Sequence, residues 1–256
     1  MKYTISLSIF TVLICSLFTF SCSSCKKSDN SSTDTATLYL HLHTNVDSNE
    51  VDDSTALYPD GNGRFIGLTL AQFYISNITL TKTDGTVTSL HGAYVLKTIG
   101  NEEYAVGSIP VGSYKFISFY VGVDATNNAT NPSTHAVPSP LALQSPSMWF
   151  GDVTKGYIFM NIQGTAQDVV GGIKTPISYQ IGSNALYESV TLPTHNPIYT
   201  VAAKQVLTVH IICDYGKLLK GITSFSSNPS TDTYNTNPTL AQTIANNIPN
   251  MFRYEE

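Results

Sequence analysis

The chain has 256 residues, of which 42% are hydrophobic and 12% are charged, and its formal charge at pH 7 is −5. The apolar content is sufficient for a buried core, which excludes a disordered chain. The acidic balance excludes the basic surface that nucleic-acid binding requires. A chain with few charges and 15 Tyr residues favours pleated sheets over a helical bundle.

The N-terminal segment has the pattern of a bacterial export signal. Lys2 is followed by an apolar run from Ile5 to Phe20, which is too short for a spanning helix. We interpret residues 1–21 as the signal peptide of a lipoprotein, with Cys22 or Cys25 as the acylated anchor. Cys22 is preferred, because it directly follows the end of the apolar run. This predicts a lipid-anchored envelope protein, at the outer membrane and facing the periplasm or the cell surface. An ordinary signal peptide with incidental cysteines is the alternative.

Residues 22–35 are polar and rich in serine, which predicts a flexible tether. Residues 36–256 contain no polar linker or repeat and are predicted to form a single domain. Apolar runs between turn signals predict strands at 38–43, 67–82, 86–98, 103–109, 113–123, 156–164, 177–181, 189–192, 198–201 and 205–214. With one short C-terminal helix at 238–247, capped by Asn237, this pattern predicts an all-β sandwich of about 8–10 antiparallel strands.

Two long polar loops, at 46–64 and 124–147, interrupt the predicted strands, and loops of this length often carry function. Their carboxylate and amide side chains are candidate calcium ligands, although the spacing is not that of an EF-hand. Solvated turns are the alternative interpretation. The candidates are Asp47, Asp52, Asp53, Asp60, Asp124, Asn127 and Asn128.

Histidines on predicted strands are the better candidates for a metal site. His41 and His43 are two residues apart, so their side chains leave the same face of the strand, opposite three leucines. Such a pair suits copper or zinc, and two polar residues on a solvated face is the alternative. His210 shares its strand face with Val206 and Ile212, which predicts that it points inward or into a cleft. It is a third candidate ligand or a core histidine.

The remaining residue patterns favour binding over catalysis. No nucleophile elbow, phosphate loop, dinucleotide fingerprint or zinc-protease motif occurs in the sequence, so we expect no enzymatic activity. Cys213 is the only cysteine in the predicted domain, residues 36–256, and is predicted to be a buried apolar residue. Trp149, the single tryptophan, is predicted to anchor the loop before the strand at 156–164.

Several phrases occur together in a characteristic order, and they carry a resemblance to a known family. They are QFYISNITL (72–80), IPVGSYKFISFYVGVDATNN (109–128), MWFGDVTKGYIFMNIQG (148–164), YQIGSN (179–184) and IANNIPNMF (244–252). The ensemble resembles the MbnP-like family of copper-associated periplasmic proteins, first described with methanobactin systems. The resemblance covers the chain from about residue 38 to residue 252, and it is that of a lipoprotein version of the family.

The resemblance implies a secreted β-sandwich that binds copper. It also implies a di-haem partner of the MauG-like class, which in the founding members oxidises a tryptophan to kynurenine. Trp149 is the only candidate here, one place before the tryptophan of the usual Met-aromatic-Trp motif. Gln180 stands where the family tends to carry a histidine.

Residues and resemblance together predict an envelope-anchored lipoprotein that binds a metal, most simply copper. His41 and His43 are the first candidate ligands, His210 ranks below them, and Trp149 is expected nearby. The alternative is a surface lipoprotein without metal that recognises a glycan or a protein partner through its long polar loops.

Overall fold

The structure is a computed structural model that describes residues 34–255. The predicted signal peptide, Cys22, Cys25 and nearly all of the predicted tether lie outside the described residues. Residues 34–255 belong to one compact unit. Within the described range, the helices are all too short or too polar to cross a membrane.

The smaller of two sheets has five strands with one long strand at its centre. They are β1 (Thr35–Val46), β2 (Asn49–Glu50), β7 (Glu103–Pro110), β13 (Val206–Asp214) and β15 (Phe252–Tyr254). β1 pairs in parallel with β13 and antiparallel with β2 and β7, and β15 pairs with β13. Burial alternates along β1, since Leu38, Leu40 and Leu42 are fully buried while His41 and His43 lie on the outer face.

The larger sheet has ten strands and is organised around β4. They are β3 (Tyr58–Pro59), β4 (Phe65–Lys82), β5 (Val87–Leu90), β6 (Val95–Lys97), β8 (Gly112–Val121), β9 (Met160–Gln167), β10 (Thr175–Ile181), β11 (Glu188–Thr191), β12 (Tyr199–Val201) and β14 (Ser230–Asp232). β4 pairs with β3, β5, β6, β8 and β9. Because β4 is 18 residues long, it can pair with all five strands, and these pairings hold the sheet together.

Three short α-helices connect the strands. They are α1 (Ala125–Asn128), α2 (Tyr215–Leu218) and α3 (Pro238–Asn247), and single 3₁₀ turns occur at Pro132–Thr134, Asn184–Leu186 and Ile248–Asn250. α3 is the helix that the sequence predicts. Asn237 caps it by accepting a hydrogen bond from the backbone N–H of Leu240 at 3.2 Å, and Leu240 and Ile244 face the core.

The main core lies between the two sheets. Leu40 and Leu42 of β1 contribute to it from one side, and Phe73 and Ile75 of β4 contribute from the other. Tyr74 alternates with these two residues and belongs to a second buried cluster, which therefore packs on the opposite face of the larger sheet. The protein thus has an inner core and a separate outer cluster.

The predicted all-β sandwich is confirmed, and each predicted strand region overlaps at least one observed strand. Two details differ. The β1–β13 and β10–β14 pairs are parallel, because long stretches of chain connect them and the returning strand can enter in either direction. The short strands β2, β3, β14 and β15 were not expected, since two or three residues show no periodicity.

Candidate metal centre

Three histidines converge on the outer face of the smaller sheet. His41 and His210 are directly paired across β1 and β13, and His43 follows two residues after His41. The ring of His41 lies 4.4 Å from that of His43 and 4.7 Å from that of His210, between centroids. One ligand nitrogen from each side chain lies within 4.8 Å of the other two. We call these residues the histidine cluster.

The strand neighbours of His210 suggested that its side chain points inward. The structure shows that it does not. Leu207, Val209 and Ile211 face the core, whereas Val206 is 59% exposed on the same side as His210. The buried face of β13 is the uniformly apolar one, whereas the face of His210 also carries Thr208, so Val206 and Ile212 alone did not define the buried side. His210 lies on the outer face with the other two histidines.

Three glutamates surround the histidine cluster. Glu102 Oε2 lies 3.1 Å from His41 Nε2, and Glu50 Oε1 lies 3.3 Å from His43 Nδ1. Glu255 Oε2 lies 3.1 Å from His43 Nε2. Carboxylates in these positions orient imidazole rings and provide further oxygen ligands for a metal.

One ring nitrogen in the cluster lacks a hydrogen-bond partner. His210 Nδ1 is shielded from solvent and lies 3.1 Å from Glu255 Oε2, but the angle does not make a hydrogen bond. A shielded polar atom without a partner is energetically unfavourable. A metal ion bound to this nitrogen would satisfy it.

The backbone fixes where each glutamate lies. The N–H of Leu42 donates to the carbonyl of Glu102 at 2.8 Å, which holds Glu102 beside β1. The N–H of Glu255 donates to the carbonyl of His210 at 3.2 Å, which continues the pairing of β15 with β13. The glutamates are therefore attached to the same strands as the histidines.

Glu50 is placed by a tight turn between β1 and β2. The turn contains Asp47, which has a positive φ of 55°, and Ser48. The N–H of Asp47 donates to Asp214 Oδ1 at 2.9 Å, which anchors the turn to the end of β13. This anchor connects the position of Glu50 to the strand that carries His210.

A buried lysine supports the turn that leads to Glu102. Lys97 is fully buried, and its Nζ donates to the carbonyls of Thr98 at 3.0 Å and Asn101 at 2.8 Å. Burial lowers the pKa of Lys97 below its ordinary value. The two hydrogen bonds fix the turn immediately before Glu102.

The donor set fits a divalent transition metal. Imidazole suits copper and zinc, and carboxylate oxygens complete the mixed nitrogen and oxygen coordination that both ions accept. Cys213 takes no part, because it lies on the core side of β13 and burial raises the pKa of its thiol to about 12. Met148 and Met160 are also buried in hydrophobic clusters. The accessible ligands are nitrogen and oxygen.

Trp149 is not brought to the histidine cluster. It packs against the outer cluster on the other face of the larger sheet, beside Met148 and Tyr157. Its indole Nε1 is buried and has no hydrogen-bond partner. Trp149 anchors its loop as predicted, but it supplies no ligand to the histidine cluster, and its oxidation stays a prediction.

Several of the acidic loop residues proposed as calcium ligands are engaged by other groups of the protein. Asp60 forms an ion pair with Arg64 at 2.6 Å, and Asp124 caps α1. Asp53 accepts hydrogen bonds from Thr55 within a turn. Across residues 34–255, the two groups of ionisable side chains that could share an ion both contain His43. Turn and cap chemistry accounts for the loop carboxylates.

The sequence did not reveal Glu50, Glu102 and Glu255 as part of the site. Each reaches the histidines through pairing between distant strands, which a single sequence does not specify. The one local signal was Glu50, which follows His43 by seven residues across a turn. Glu102 and Glu255 had no such signal.

Fold and site together define a β-sandwich with a histidine and carboxylate group on one outer face. The family model described as MbnP matches residues 35–237, so the chain belongs to the MbnP family. This confirms the family resemblance. All three histidines lie within the matched residues, whereas Glu255 lies beyond them.

Two further comparisons were made. Among solved structures, MbnP from Methylosinus trichosporium matches with a TM-score of 0.45 and 19% sequence identity, covering 72% of this chain and 77% of that chain. The comparison with individual curated proteins gave no match. Family membership places the chain among copper-related proteins of the periplasm or cell envelope.

Proposed function

We propose that this protein binds copper through His41, His43 and His210. The observation that carries the proposal is the convergence of one nitrogen from each side chain to within 4.8 Å. The shielded His210 Nδ1 supports it, because this atom makes no hydrogen bond and lies 3.1 Å from Glu255 Oε2, which could serve as a further oxygen ligand. The protein handles or senses copper and does not catalyse a reaction with it.

Coordination chemistry supports copper as the ion. For a given set of nitrogen and oxygen ligands, Cu²⁺ binds more tightly than Zn²⁺. The family to which the chain belongs is copper-related, which points in the same direction. Glu102 would orient the ring of His41 through Nε2, as carboxylates do beside many metal-bound histidines, and Glu255 would supply an oxygen ligand beside His43 Nε2 and His210 Nδ1.

Equilibrium dialysis tests the proposal. The protein starting at Lys26, which contains the whole described fold, is dialysed against Cu²⁺ and a weak competing chelator. We expect at least about one copper ion to be retained per chain, His43→Ala to release it, and His210→Ala to lower the amount retained. His91→Ala removes an exposed histidine outside the cluster and serves as the matched control. Retention below one-tenth of an equivalent, unchanged by His43→Ala, would contradict the proposal and favour a metal-free binding protein.

We also propose that the protein is anchored to the cell envelope by lipid. The apolar leader followed by Cys22 supports this, and Cys25 is the second candidate for acylation. Full-length protein is expected in the membrane fraction and to incorporate labelled palmitate. Cys22→Ala should abolish the label, and Cys25→Ala should leave it unchanged. A label that survives both single substitutions and the double substitution would exclude acylation at this segment.

A further inference from the structure

The imidazole of His43 faces different partners with its two nitrogens. Its Nδ1 lies 3.3 Å from Glu50 Oε1 and 3.7 Å from Glu102 Oε1. Its Nε2 lies 3.1 Å from Glu255 Oε2, which in turn lies 3.1 Å from His210 Nδ1. The ring therefore separates two groups of ligand atoms.

The first group is the histidine cluster, with Glu255 Oε2 beside two of its nitrogens. The second group contains His43, Glu50 and Glu102, and its three ligand atoms also lie within 4.8 Å of one another. In the described part of the chain these are the two groupings of this kind, and His43 is their only common member. The proposed copper site uses the first group and leaves Glu50 without a role.

The spacing of the second group matches a coordinated ion. Two ligand atoms at tetrahedral angles, each about 2.0–2.1 Å from a zinc ion, lie about 3.3 Å apart. His43 Nδ1 is 3.3 Å and 3.7 Å from the two carboxylate oxygens, so only small shifts would be needed. The side chain of Glu50 is 56% exposed, so an ion could reach the group from solvent.

Net charge also favours a second cation. Glu50, Glu102 and Glu255 are three carboxylates around three imidazoles, and one divalent ion neutralises only two of their charges. Within residues 34–255, none of the three forms an ion pair with a lysine or arginine. A second divalent ion beside Glu50 and Glu102 would compensate the remaining negative charge.

We propose that His43, Glu50 and Glu102 form a second metal site, which takes a zinc ion beside the copper. His43 binds copper through Nε2 and zinc through Nδ1, so that one ring joins the two ions. Both nitrogen–metal bonds form when the ring gives up its N–H proton to the buffer, and no oxidation or reduction is involved. This inference rests on the proposed copper site and extends it to a two-metal centre.

Metal analysis of sequentially loaded protein tests the second site. The protein starting at Lys26 is loaded with one equivalent of Cu²⁺ and then with excess Zn²⁺, desalted, and analysed by mass spectrometry of the metals. We expect one copper and one zinc per chain. Glu50→Gln should lose the zinc and keep the copper, and Glu188→Gln on β11 should keep both.

Spectroscopy provides an independent readout. Zinc bound to the second nitrogen of His43 should shift the electron paramagnetic resonance spectrum of the copper, and Glu50→Gln should remove that shift. With two equivalents of Cu²⁺ and no zinc, coupling through the ring should leave the detectable spins well below the copper bound. Retention of copper alone by the unmodified protein, or zinc retention unaffected by Glu50→Gln, would overturn the second site and leave the first intact. Retention of neither metal would overturn both.

Discussion

His41 and His210 lie directly opposite each other on two parallel strands, although 168 residues separate them in the sequence. Their ring centroids are 4.7 Å apart, with an interplanar angle of 26°. The strand pairing fixes both Cα positions before any metal is present. The histidine cluster is therefore a rigid surface feature of the sheet, and a substitution in it should change metal binding more than it changes folding.

Glu255 should contribute an oxygen ligand to the copper site. Its carboxylate lies 3.1 Å from His43 Nε2 and from His210 Nδ1, the nitrogens assigned to the ion. We expect Glu255→Gln to lower the copper affinity about 10–100-fold, because an amide oxygen is a weaker ligand than a carboxylate. Competitive titration with a chelator of known affinity measures the change. Glu188→Gln is the control, and an equal loss in both variants would mean that the effect is not local.

Copper should stabilise the folded protein. An ion that binds only the native state at 100 times its dissociation constant adds about 2.7 kcal/mol to the free energy of unfolding. For a domain of this size that corresponds to a rise in melting temperature of about 5–10 °C. Differential scanning calorimetry with and without Cu²⁺ measures it, and His43→Ala should abolish the rise. A rise of the same size in His43→Ala would place the ion elsewhere.

Cys213 should be unreactive in the native protein. Burial raises the pKa of its thiol to about 12, so the reactive thiolate is almost absent at pH 8. In the protein starting at Lys26 it is the only cysteine, which makes the measurement unambiguous. A disulfide exchange reagent at pH 8 should label the protein only after unfolding in denaturant. Rapid labelling of native protein would contradict the burial of β13.

Asp168 should make stability depend on pH in the acid range. Burial tends to raise the pKa of this carboxyl, but hydrogen bonds from Ser226, Phe225 and Ser224 lower it to about 2. Because this value lies below the ordinary pKa of about 3.9, the stabilisation is complete above pH 4 and is lost as the pH falls towards 2.

Asp168→Asn tests this dependence. The variant should be about 1–2 kcal/mol less stable at pH 7, because the charged hydrogen bonds are lost. The difference from the unmodified protein should shrink between pH 4 and pH 2, as measured by urea unfolding. Glu188→Gln removes a carboxyl whose pKa is raised by burial, so it should not show this pattern. A difference that stays constant with pH would assign the effect to packing.

The sequence predicted the strands better than their arrangement. Alternation along β1 correctly placed His41 and His43 opposite the buried leucines, because one period is enough to define two faces. On β13 the buried face is the uniformly apolar one, and the prediction for His210 was wrong because it rested on Val206 and Ile212 alone. Among the loop acids, Asp60 and Asp124 are engaged by Arg64 and by the start of α1, contacts that a single sequence does not specify.

The carboxylates around the histidines could not be predicted from the sequence, and the reason differs from that for His210. Glu102 precedes β7 and Glu255 follows β15, and each meets the cluster only through strand pairings that join distant parts of the chain. The position of Trp149 was predicted from the family resemblance, and this prediction was wrong. Family resemblance suggested a place near the histidines, but its loop packs on the far face of the larger sheet.

The parallel pairing of β1 with β13 also determines at which stage of folding the metal centre can form. A chain that has just emerged from synthesis or export has His41 and His43 long before β13 arrives to dock against them. Contacts between such distant segments form late, because a long loop must close first. An incomplete chain therefore presents only two of the three histidines. Ion capture by the full centre would mark the end of folding, and unfinished chains would compete poorly for scarce copper.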